Sequence, residues 1–224
     1  MGGYPLSDLA GVIFDLDGVL ADTEHLWEES WQRYLAASGH GWGDGLTSQL
    51  QGMNSYEWSR HLAEYIGRPQ DAEPIRQACI THVVSEIDAG RGPLLPGARR
   101  LVEDVAKRVP IGLASSAARE VIDRILTSND IAGLFAATVS SEEVALGKPA
   151  PDVYAEAVHR VGFTGPGLAV EDSSNGIRSA HAAGLYVIAI PNPQYPPAAD
   201  ALALADFVAA GHDQAHDHAL AQLK

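Results

Sequence analysis

Short, continuous apolar runs alternate with helix-length segments through most of this chain of 224 residues. The runs are GVIF (11–14), PIGLA (110–114), ATV (137–139), GLAV (167–170) and YVIAI (186–190). Because their apolarity is continuous rather than alternating, each run predicts a strand that is buried on both faces. Strands that alternate with helices predict a parallel sheet covered by helices on both faces, so we expect an α/β fold with a Rossmann-like core.

One long segment interrupts this alternation directly after the first strand. From Asp22 to about Arg91 the sequence shows helical patterns and no convincing strand. That length is too great for a simple crossover between parallel strands. We therefore expect a small all-helical domain at residues 22–93, inserted into an α/β catalytic core that comprises residues 1–21 and 94–224.

Composition and charge argue against several classes of function. The 15 Lys and Arg residues against 29 Asp and Glu residues give a net charge of −14, which disfavours nucleic acid as the main partner. No apolar run approaches the roughly 20 residues that a membrane span needs. The N-terminus lacks the basic and apolar regions of a secretory signal, and a single cysteine fits a reducing compartment. We expect a cytoplasmic protein with a small-molecule partner and no obligate protein partner.

Polar residues that the apolar context does not explain follow several of the predicted strands. They are Asp15 and Asp17, Ser115 and Ser116, Glu171 and Asp172, together with Lys148 just before a helix that starts with proline. Because the carboxyl ends of parallel strands meet at one edge of a sheet, we expect these residues to converge. Unpaired buried carboxylates are costly, and a metal ion with a phosphate partner would compensate them.

These residue types suit phosphoryl transfer at a magnesium ion. A carboxylate can attack phosphorus if a cation screens the repulsion between the two anions. Asp15 and Asp172 can offer side-chain oxygens to Mg²⁺, and a backbone carbonyl near Asp17 can offer another. Lys148 would balance the charge of the nucleophile and the phosphoryl group, and Ser115 with the N–H groups behind it would hold phosphate oxygens. Asp17 is then available to protonate the leaving oxygen and later to deprotonate a water.

Four motifs occur in the order FDLDGVLADTE, LASSA, LGKPAPDVY and VEDSSNGI. With these motifs the chain resembles the haloacid dehalogenase superfamily of phosphohydrolases, in particular the β-phosphoglucomutase-like branch with a helical cap after the first strand. Four ordered motifs are much more specific than a lone Asp-x-Asp, and the resemblance extends over essentially the whole chain. It implies that Asp15 becomes a phospho-aspartate and that Asp17 is the acid/base residue, in agreement with the roles argued from residue type.

The expected site has four groups of residues. They are the catalytic residues Asp15, Asp17 and Lys148; the phosphate-binding residues Ser115, Ser116 and Lys148; the magnesium ligands Asp15, Asp17, Glu171 and Asp172; and the specificity residues Gln51, Asn54 and Ser55 of the inserted domain.

Two departures from the β-phosphoglucomutase pattern favour a phosphatase over a mutase. Those enzymes carry a histidine that restrains the acid/base residue, and the matching position, ten residues after Asp17, is Trp27 here. They also carry an arginine that grips the second phosphate of a bisphosphate intermediate, and Ser55 stands at the equivalent place. Loss of a bidentate phosphate clamp would let water intercept the phospho-enzyme more easily. Arg60 would partly substitute for this arginine, so the mutase stays open as an alternative.

The sequence thus predicts a Mg²⁺-dependent phosphomonoester hydrolase that acts on a small phosphorylated metabolite, with a sugar phosphate as the first choice. The alternatives are a phosphosugar isomerase of the β-phosphoglucomutase type and a non-catalytic module that binds a phosphorylated metabolite. We interpret Trp27, Trp31 and Trp58 as packing in the core of the inserted domain rather than as a stacking surface for substrate.

Overall fold

The computed structural model describes residues 9–50 and 52–223 of the chain. In these residues six strands form one parallel sheet, in the order β3-β2-β1-β4-β5-β6. The strands are β1 Gly11–Phe14, β2 Ile111–Ser115, β3 Ala137–Ser140, β4 Gly167–Glu171, β5 Tyr186–Ala189 and β6 Phe207–Val208. The predicted α/β fold with a parallel sheet is therefore confirmed, although β6 was not predicted from the sequence.

Ten α-helices accompany the sheet in the described part of the chain. They are α1 Glu24–Ala37, α2 Leu46–Leu50, α3 Ser55–Tyr65, α4 Ala72–Asp88, α5 Ala98–Ala106, α6 Arg119–Ser128, α7 Asp152–Val161, α8 Ser174–Ala182, α9 Ala199–Leu202 and α10 His212–Gln222. Helices α1 to α4 lie between β1 and β2 in the chain, and we call them the inserted helices. The division of the chain into a core and an inserted domain at 22–93 stays a prediction.

Alternate residues of each central strand serve the two faces of the sheet. In β1, Val12 and Phe14 join the apolar layer that contains α5, α6 and α10. Ile13 joins the opposite layer, which contains α7 and α8. All three side chains are fully buried. The sheet is thus covered on both faces, which explains why the strands read as continuous apolar runs.

The strand order places a crevice at the carboxyl ends of β1 and β4. From β1 the chain moves outward to β2 and β3 on one side, and it then returns to build β4, β5 and β6 on the other side. Ligands of open parallel sheets bind at such a reversal point. The polar residues that follow β1, β2 and β4 all lie at this edge.

Glu142 connects the core to the inserted helices. It lies in a short 3₁₀ turn after β3. Its carboxylate accepts a hydrogen bond from Arg76 Nη1 of α4 at 2.9 Å and another from the hydroxyl of Ser55 on α3. The backbone N–H of Arg119, on the core side, donates to the same carboxylate at 3.3 Å. One side chain therefore holds both parts of the molecule together next to the crevice.

Among the described residues, no helix has the length and apolarity that crossing a bilayer would require. The cytoplasmic location stays a prediction.

Glu143, the neighbour of Glu142, generates a prediction about stability at low pH. Partial burial tends to raise its pKa, but hydrogen bonds from Arg160, from the Ser140 N–H and from Arg119 outweigh this and lower the pKa from 4.5 to about 2. A carboxyl group with a lowered folded-state pKa stabilises the protein above its unfolded pKa, and this stabilisation is lost as the pH falls through the folded value. We expect Glu143→Gln to lower the melting temperature above about pH 5, with a difference from wild type that shrinks as the pH falls toward 2.

Thermal unfolding followed by circular dichroism between pH 2 and pH 7 measures this difference. Glu120→Gln, a change at an exposed position of α6, is the matched control and should unfold like the wild type at every pH. A Glu143→Gln difference that stays constant over the whole range would contradict the prediction.

Candidate active site

A buried ion-pair network lies at the carboxyl ends of β1 and β4. Lys148 Nζ lies 2.5 Å from Asp15 Oδ1 and 2.6 Å from Glu171 Oε1. The exposed fractions of Lys148, Asp15 and Glu171 are 5%, 6% and 0%. Burial disfavours a charged ammonium group, but the two carboxylates outweigh burial and raise the pKa of Lys148. Lys148 is therefore a cation in this network.

The Glu171 carboxylate is held firmly in this network because hydrogen-bond donors surround it. The donors are Lys148 Nζ at 2.6 Å, Tyr154 Oη at 2.8 Å, the Asp172 N–H at 3.0 Å, and the N–H and Oγ of Ser173, both at 3.2 Å. Gly176 makes room for this carboxylate, since a Cβ at that position would lie 1.8 Å from Glu171 Oε1. The glycine of VEDSSNGI thus lets α8 start close enough to enclose the glutamate.

Three carboxylates crowd together beside the lysine. Asp15, Glu171 and Asp172 are buried, and each offers an oxygen within 4.8 Å of the others. Burial raises the pKa of Asp15 well above 3.8, although Lys148 opposes the change. Burial, followed by the charges of Glu171 and Asp15, likewise raises the pKa of Asp172 well above 3.8. Crowded carboxylate oxygens in an enclosed site fit a hard divalent cation such as Mg²⁺.

Gly18 allows Asp172 to approach the turn after β1. The residue has a φ of +77°, which favours glycine, and a Cβ there would lie 2.0 Å from Asp172 Oδ2. The glycine of the Asp-x-Asp-Gly motif is therefore required both for the backbone turn and for the contact between β1 and β4.

Asp17 is held by residues at the start of the inserted helices. Thr23 Oγ1 donates to Asp17 Oδ1 at 2.5 Å, and Trp27 Nε1 donates to the same oxygen at 3.1 Å. Ser115 Oγ lies 3.4 Å from Oδ2, a long contact. Burial raises the pKa of Asp17, and these donors partly oppose the rise. Since Oδ1 already accepts two hydrogen bonds, Oδ2 is the oxygen on which a proton is best placed.

Trp27 therefore makes the contact that the sequence analysis assigned to a histidine of related enzymes. The two residue types differ in their hydrogen-bonding chemistry, because an indole N–H donates only and does not titrate near neutral pH. Replacing the histidine by tryptophan changes the donor, but Asp17 is still restrained.

The two serines that follow β2 occupy different places. Ser115 is fully buried, and its Oγ accepts a hydrogen bond from the Ala117 N–H at 3.0 Å. Ser116 and Ala117 line the cavity that opens above Asp15 and Lys148. Of the two predicted phosphate-binding serines, the structure places Ser116 at the cavity wall and Ser115 beneath it, and their role in phosphate binding stays a prediction.

The cavity has a volume of about 680 Å³, part of it open to solvent. The core side of the cavity carries the charged residues Asp15, Asp17, Lys148 and Asp172. The side formed by the inserted helices is mainly apolar, with Trp27, Trp31, Leu50, Met53 and Trp58 in its wall.

Two of the predicted specificity residues, Asn54 and Ser55, make contacts away from the cavity wall. Asn54 caps α3 by accepting hydrogen bonds from the Tyr56 and Glu57 N–H groups, and Ser55 donates to Glu142. Neither is among the described residues that line the cavity. Gln51 lies outside the described residues. The predicted segment does reach the cavity, since Gly52 and Met53 line it. Its role in specificity stays a prediction.

Sequence reasoning missed Glu24 as a cavity residue. Its carboxylate accepts a hydrogen bond from Asn192 of the core. Burial, followed by the charges of Asp17 and Asp22, raises the pKa of Glu24 to about 7. Glu24 lies in the first turn of α1, soon after the Asp-x-Asp motif. This closeness to the motif is the sequence signal that could have identified it as a cavity residue.

Residues 9–184 match the protein-family model described as haloacid dehalogenase-like hydrolase. This range includes every strand except β5 and β6, and it contains all four sequence motifs.

Individual relatives agree with the family model. A probable pseudouridine-5'-phosphatase of Drosophila melanogaster is 30% identical over 202 residues, which span 87% of this chain and 87% of the relative. The crystal structure of CbbY from Rhodobacter sphaeroides in complex with phosphate has a TM-score of 0.81 at 25% identity, covering 96% of this chain and 99% of that one. The β-phosphoglucomutase of Clostridium difficile shares the fold, with a TM-score of 0.82 at 21% identity over 96% and 97% of the two chains.

The crowded carboxylates lead to a prediction about metal binding. We expect Asp172→Asn to lose most of the rise in melting temperature that Mg²⁺ gives the wild type, because a ligand that binds the folded state stabilises it in proportion to its affinity. In metal-free buffer the same variant should be at least as stable as the wild type, since the change relieves repulsion among buried carboxylates.

Differential scanning fluorimetry over a series of MgCl₂ concentrations measures both effects. Asp44→Asn, a change of an exposed carboxylate before α2, is the control and should respond to Mg²⁺ like the wild type. An unchanged response in Asp172→Asn would remove Asp172 from the ligand set.

Proposed function

The chain belongs to the haloacid dehalogenase-like hydrolases and is a phosphatase, and we propose that it hydrolyses a small phosphorylated metabolite with Mg²⁺ through a phosphorylated Asp15. The observation that carries this proposal is the convergence of Asp15, Lys148 and Asp172 on one cavity, with Asp17 fixed beside them. These residues come from separate parts of the chain, and the ends of the parallel strands bring them together.

Asp15, Asp172 and the backbone carbonyl of Asp17 are the proposed magnesium ligands. Glu171 supports the site mainly through its bonds to Lys148 and the backbone, since both of its oxygens already accept hydrogen bonds. When bound, Mg²⁺ would screen the repulsion between the Asp15 carboxylate and the phosphoryl oxygens. Burial, and after it the neighbouring carboxylates, raise the pKa values of Asp15 and Asp172, and a bound cation would offset both effects.

Two steps account for hydrolysis. In the first, an Asp15 oxygen attacks phosphorus, the bond from phosphorus to the alcohol oxygen breaks, and Asp17 Oδ2 gives its proton to that oxygen. In the second, Asp17 takes a proton from water, the water oxygen attacks phosphorus, and the bond between Asp15 and phosphorus breaks to release inorganic phosphate. Lys148, already bonded to Asp15, balances the negative charge of the phosphoryl group in both steps.

The turn after β2 is the proposed phosphate-binding element. Ser116 and Ala117 line the cavity directly above the start of α6, where backbone N–H groups favour an anion. Ser115 supports this turn, since its Oγ accepts a hydrogen bond from the Ala117 N–H and lies 3.4 Å from Asp17 Oδ2. With Lys148 on the opposite side, these residues form a set of donors suited to phosphate oxygens.

The inserted helices act as a cap over this site. They contribute much of the cavity wall and are tied to the core by the bonds of Glu142 and Glu24. Such a cap must open to admit substrate and close to exclude water during the first step.

A specific observation favours hydrolysis over phosphosugar isomerisation. A mutase that works through a bisphosphate must hold a second phosphate on the cap side of its cavity. Among the described residues that line the cavity, Lys148 is the sole cationic side chain, and it lies on the core side. Ser55 is bonded to Glu142, and Arg60 is exposed and does not line the described wall. Nothing in this wall replaces the bidentate clamp of a guanidinium group.

The substrate class follows from the relatives and the cavity. One relative is named for pseudouridine 5'-phosphate, and CbbY from Rhodobacter sphaeroides binds phosphate in its crystal structure. The cavity combines a charged floor with an apolar wall, which suits an ester that has a phosphate at one end and a carbon skeleton at the other. We propose a phosphate ester of a sugar or sugar-containing alcohol, held with its phosphate at Lys148.

Substitution of the nucleophile tests the function. We expect Asp15→Asn to abolish Mg²⁺-dependent release of inorganic phosphate from 4-nitrophenyl phosphate and from a panel of sugar and nucleoside phosphates, because an amide does not attack phosphorus. Asp17→Asn should reduce turnover by about 10²–10⁴-fold. Wild-type protein that only binds these esters without releasing phosphate would favour a non-catalytic module, and net conversion of β-glucose 1-phosphate to glucose 6-phosphate would favour a mutase.

The contact between Trp27 and Asp17 leads to a separate prediction. Trp27→Phe keeps an aromatic ring in the wall but removes the donor to Asp17 Oδ1. We expect kcat to fall roughly tenfold, a part of what general acid–base catalysis contributes, with KM changed much less. Steady-state kinetics on one substrate measures this split.

Trp42→Phe is the matched control, since Trp42 also belongs to the inserted segment but is not among the described residues that line the cavity. It should leave kcat within about twofold of the wild type, as expected for a change away from the site. Equal kcat in both variants would show that the indole donor has no role in turnover.

A further inference from the structure

We propose that the substrate carries a flat aromatic or heteroaromatic ring, and that this ring lies against the indoles of Trp27, Trp31 and Trp58. The inference rests on the proposed phosphatase function and narrows its substrate to a phosphate ester that bears such a ring. Its basis is the chemistry of the cavity wall opposite the phosphate end.

The three indoles form one continuous cluster in that wall. Trp27 and Trp31 are stacked with ring centroids 6.4 Å apart, and Trp58 lies 5.8 Å from each of them. They are 8%, 4% and 2% exposed, and all three line the cavity. From sequence alone, these residues are expected to pack in the core of the inserted domain. The structure shows that they pack together and also form the cavity wall.

Hydrogen-bonding groups are scarce on this side of the cavity. Among the described residues, the inserted helices and their loops place two hydrogen-bonding side chains other than indoles in the wall, Glu24 and Thr47. Thr47 donates its hydroxyl proton to Glu28 at 2.9 Å, and Glu24 accepts from Asn192. A polyol phosphate would bury several hydroxyl groups here with few partners, and each unpaired buried hydroxyl weakens binding.

Trp31 shows the same shortage of partners. Its Nε1 is a buried donor for which the described residues supply no acceptor. A buried donor without a partner is uncommon and costs stability. This donor is available to an acceptor on the rim of a bound ring, such as a carbonyl oxygen or ring nitrogen. Leu50 and Met53 extend the apolar part of the wall beside it. Such a surface favours a ring face over an array of hydroxyl groups.

The shape of the wall also fits a ring. Planar rings pack against indoles in offset or edge-to-face arrangements, and nucleobases gain substantial affinity from stacking on aromatic side chains. The charged floor at Lys148 and Asp172 and the apolar wall at Trp58 divide the cavity into two ends. A phosphate at one end and a ring at the other match this division.

A matched pair of esters tests the proposal on the wild-type enzyme. Uridine 5'-monophosphate and methyl ribofuranoside 5-phosphate release the same kind of primary alcohol and differ in the base. With Mg²⁺ present, we expect kcat/KM for the nucleotide to be higher by about tenfold or more, mainly through KM. Equal values, or a preference for the ester without the base, would overturn the proposal for this ring. Benzyl phosphate against glucose 6-phosphate repeats the test with a simple ring, and the proposal fails if neither ring-bearing ester is preferred.

Two variants on α3 locate the effect. Trp58→Leu should reduce the preference to less than about threefold, because it removes one of the three indoles of the wall. The hydrogen bond to Asp17 comes from Trp27, so this change leaves that bond in place. Tyr65→Leu, which changes a half-exposed aromatic residue of the same helix outside the described wall, should keep the wild-type preference. Loss of the preference in both variants, or in neither, would contradict a specific role for Trp58.

A binding measurement keeps the proposal testable if Trp58→Leu does not fold or if turnover is absent. Asp15→Asn protein is titrated with the same two esters while tryptophan fluorescence is recorded. Quenching by uridine 5'-monophosphate, with a Kd about tenfold below that of the ester without a base, supports ring stacking. Equal Kd values without quenching would overturn it. If the wild type hydrolyses no ester at all, the proposed function fails, while this titration still decides whether the wall binds a ring.

Discussion

The site depends on a lysine buried between two carboxylates. Lys148 forms ion pairs with both Asp15 and Glu171. Further hydrogen bonds, including one from Tyr154, hold the Glu171 carboxylate in place. A buried charge that loses its partner is strongly destabilising, so the three residues hold one another in place. The network joins β1, β4 and the segment before α7, which are distant in sequence. Its excess of negative charge is also what makes the neighbouring cavity suitable for a cation and then for a phosphate group.

The inserted helices hold a residue of the proposed catalytic set. Thr23 and Trp27 donate to one oxygen of Asp17, so the proposed acid/base residue follows β1 in the core and is oriented by residues at the start of α1. Glu142 provides a second connection at the opposite side of the crevice. Movement of the helices away from the core would therefore withdraw two donors from Asp17. In the proposed mechanism, opening of the helices for substrate entry would therefore be coupled to the orientation of Asp17.

Five of the strands were predictable because continuous apolar runs are local signals. The place where the charged residues meet was predictable because polar residues at strand ends are local signals too. Strand β6, Phe207–Val208, escaped because two residues carry no pattern of their own. The interpretation of Ser55 as a specificity residue came from alignment of a loop, whereas its hydroxyl is bonded to Glu142. The resemblance places Trp27 where related enzymes carry the histidine that restrains the acid/base residue, whereas the hydrogen bond from its indole to Asp17 is known only from the structure.

Trp27 stands at once in the wall that faces the substrate and in the hydrogen bond that fixes Asp17. Trp31 and Trp58 share the wall and make no such bond to Asp17. The three positions are therefore unequal in the proposed site. Substitutions at Trp31 and Trp58 would change the wall while Thr23 and Trp27 still hold Asp17. A substitution at Trp27 would change the wall and the restraint on Asp17 at the same time.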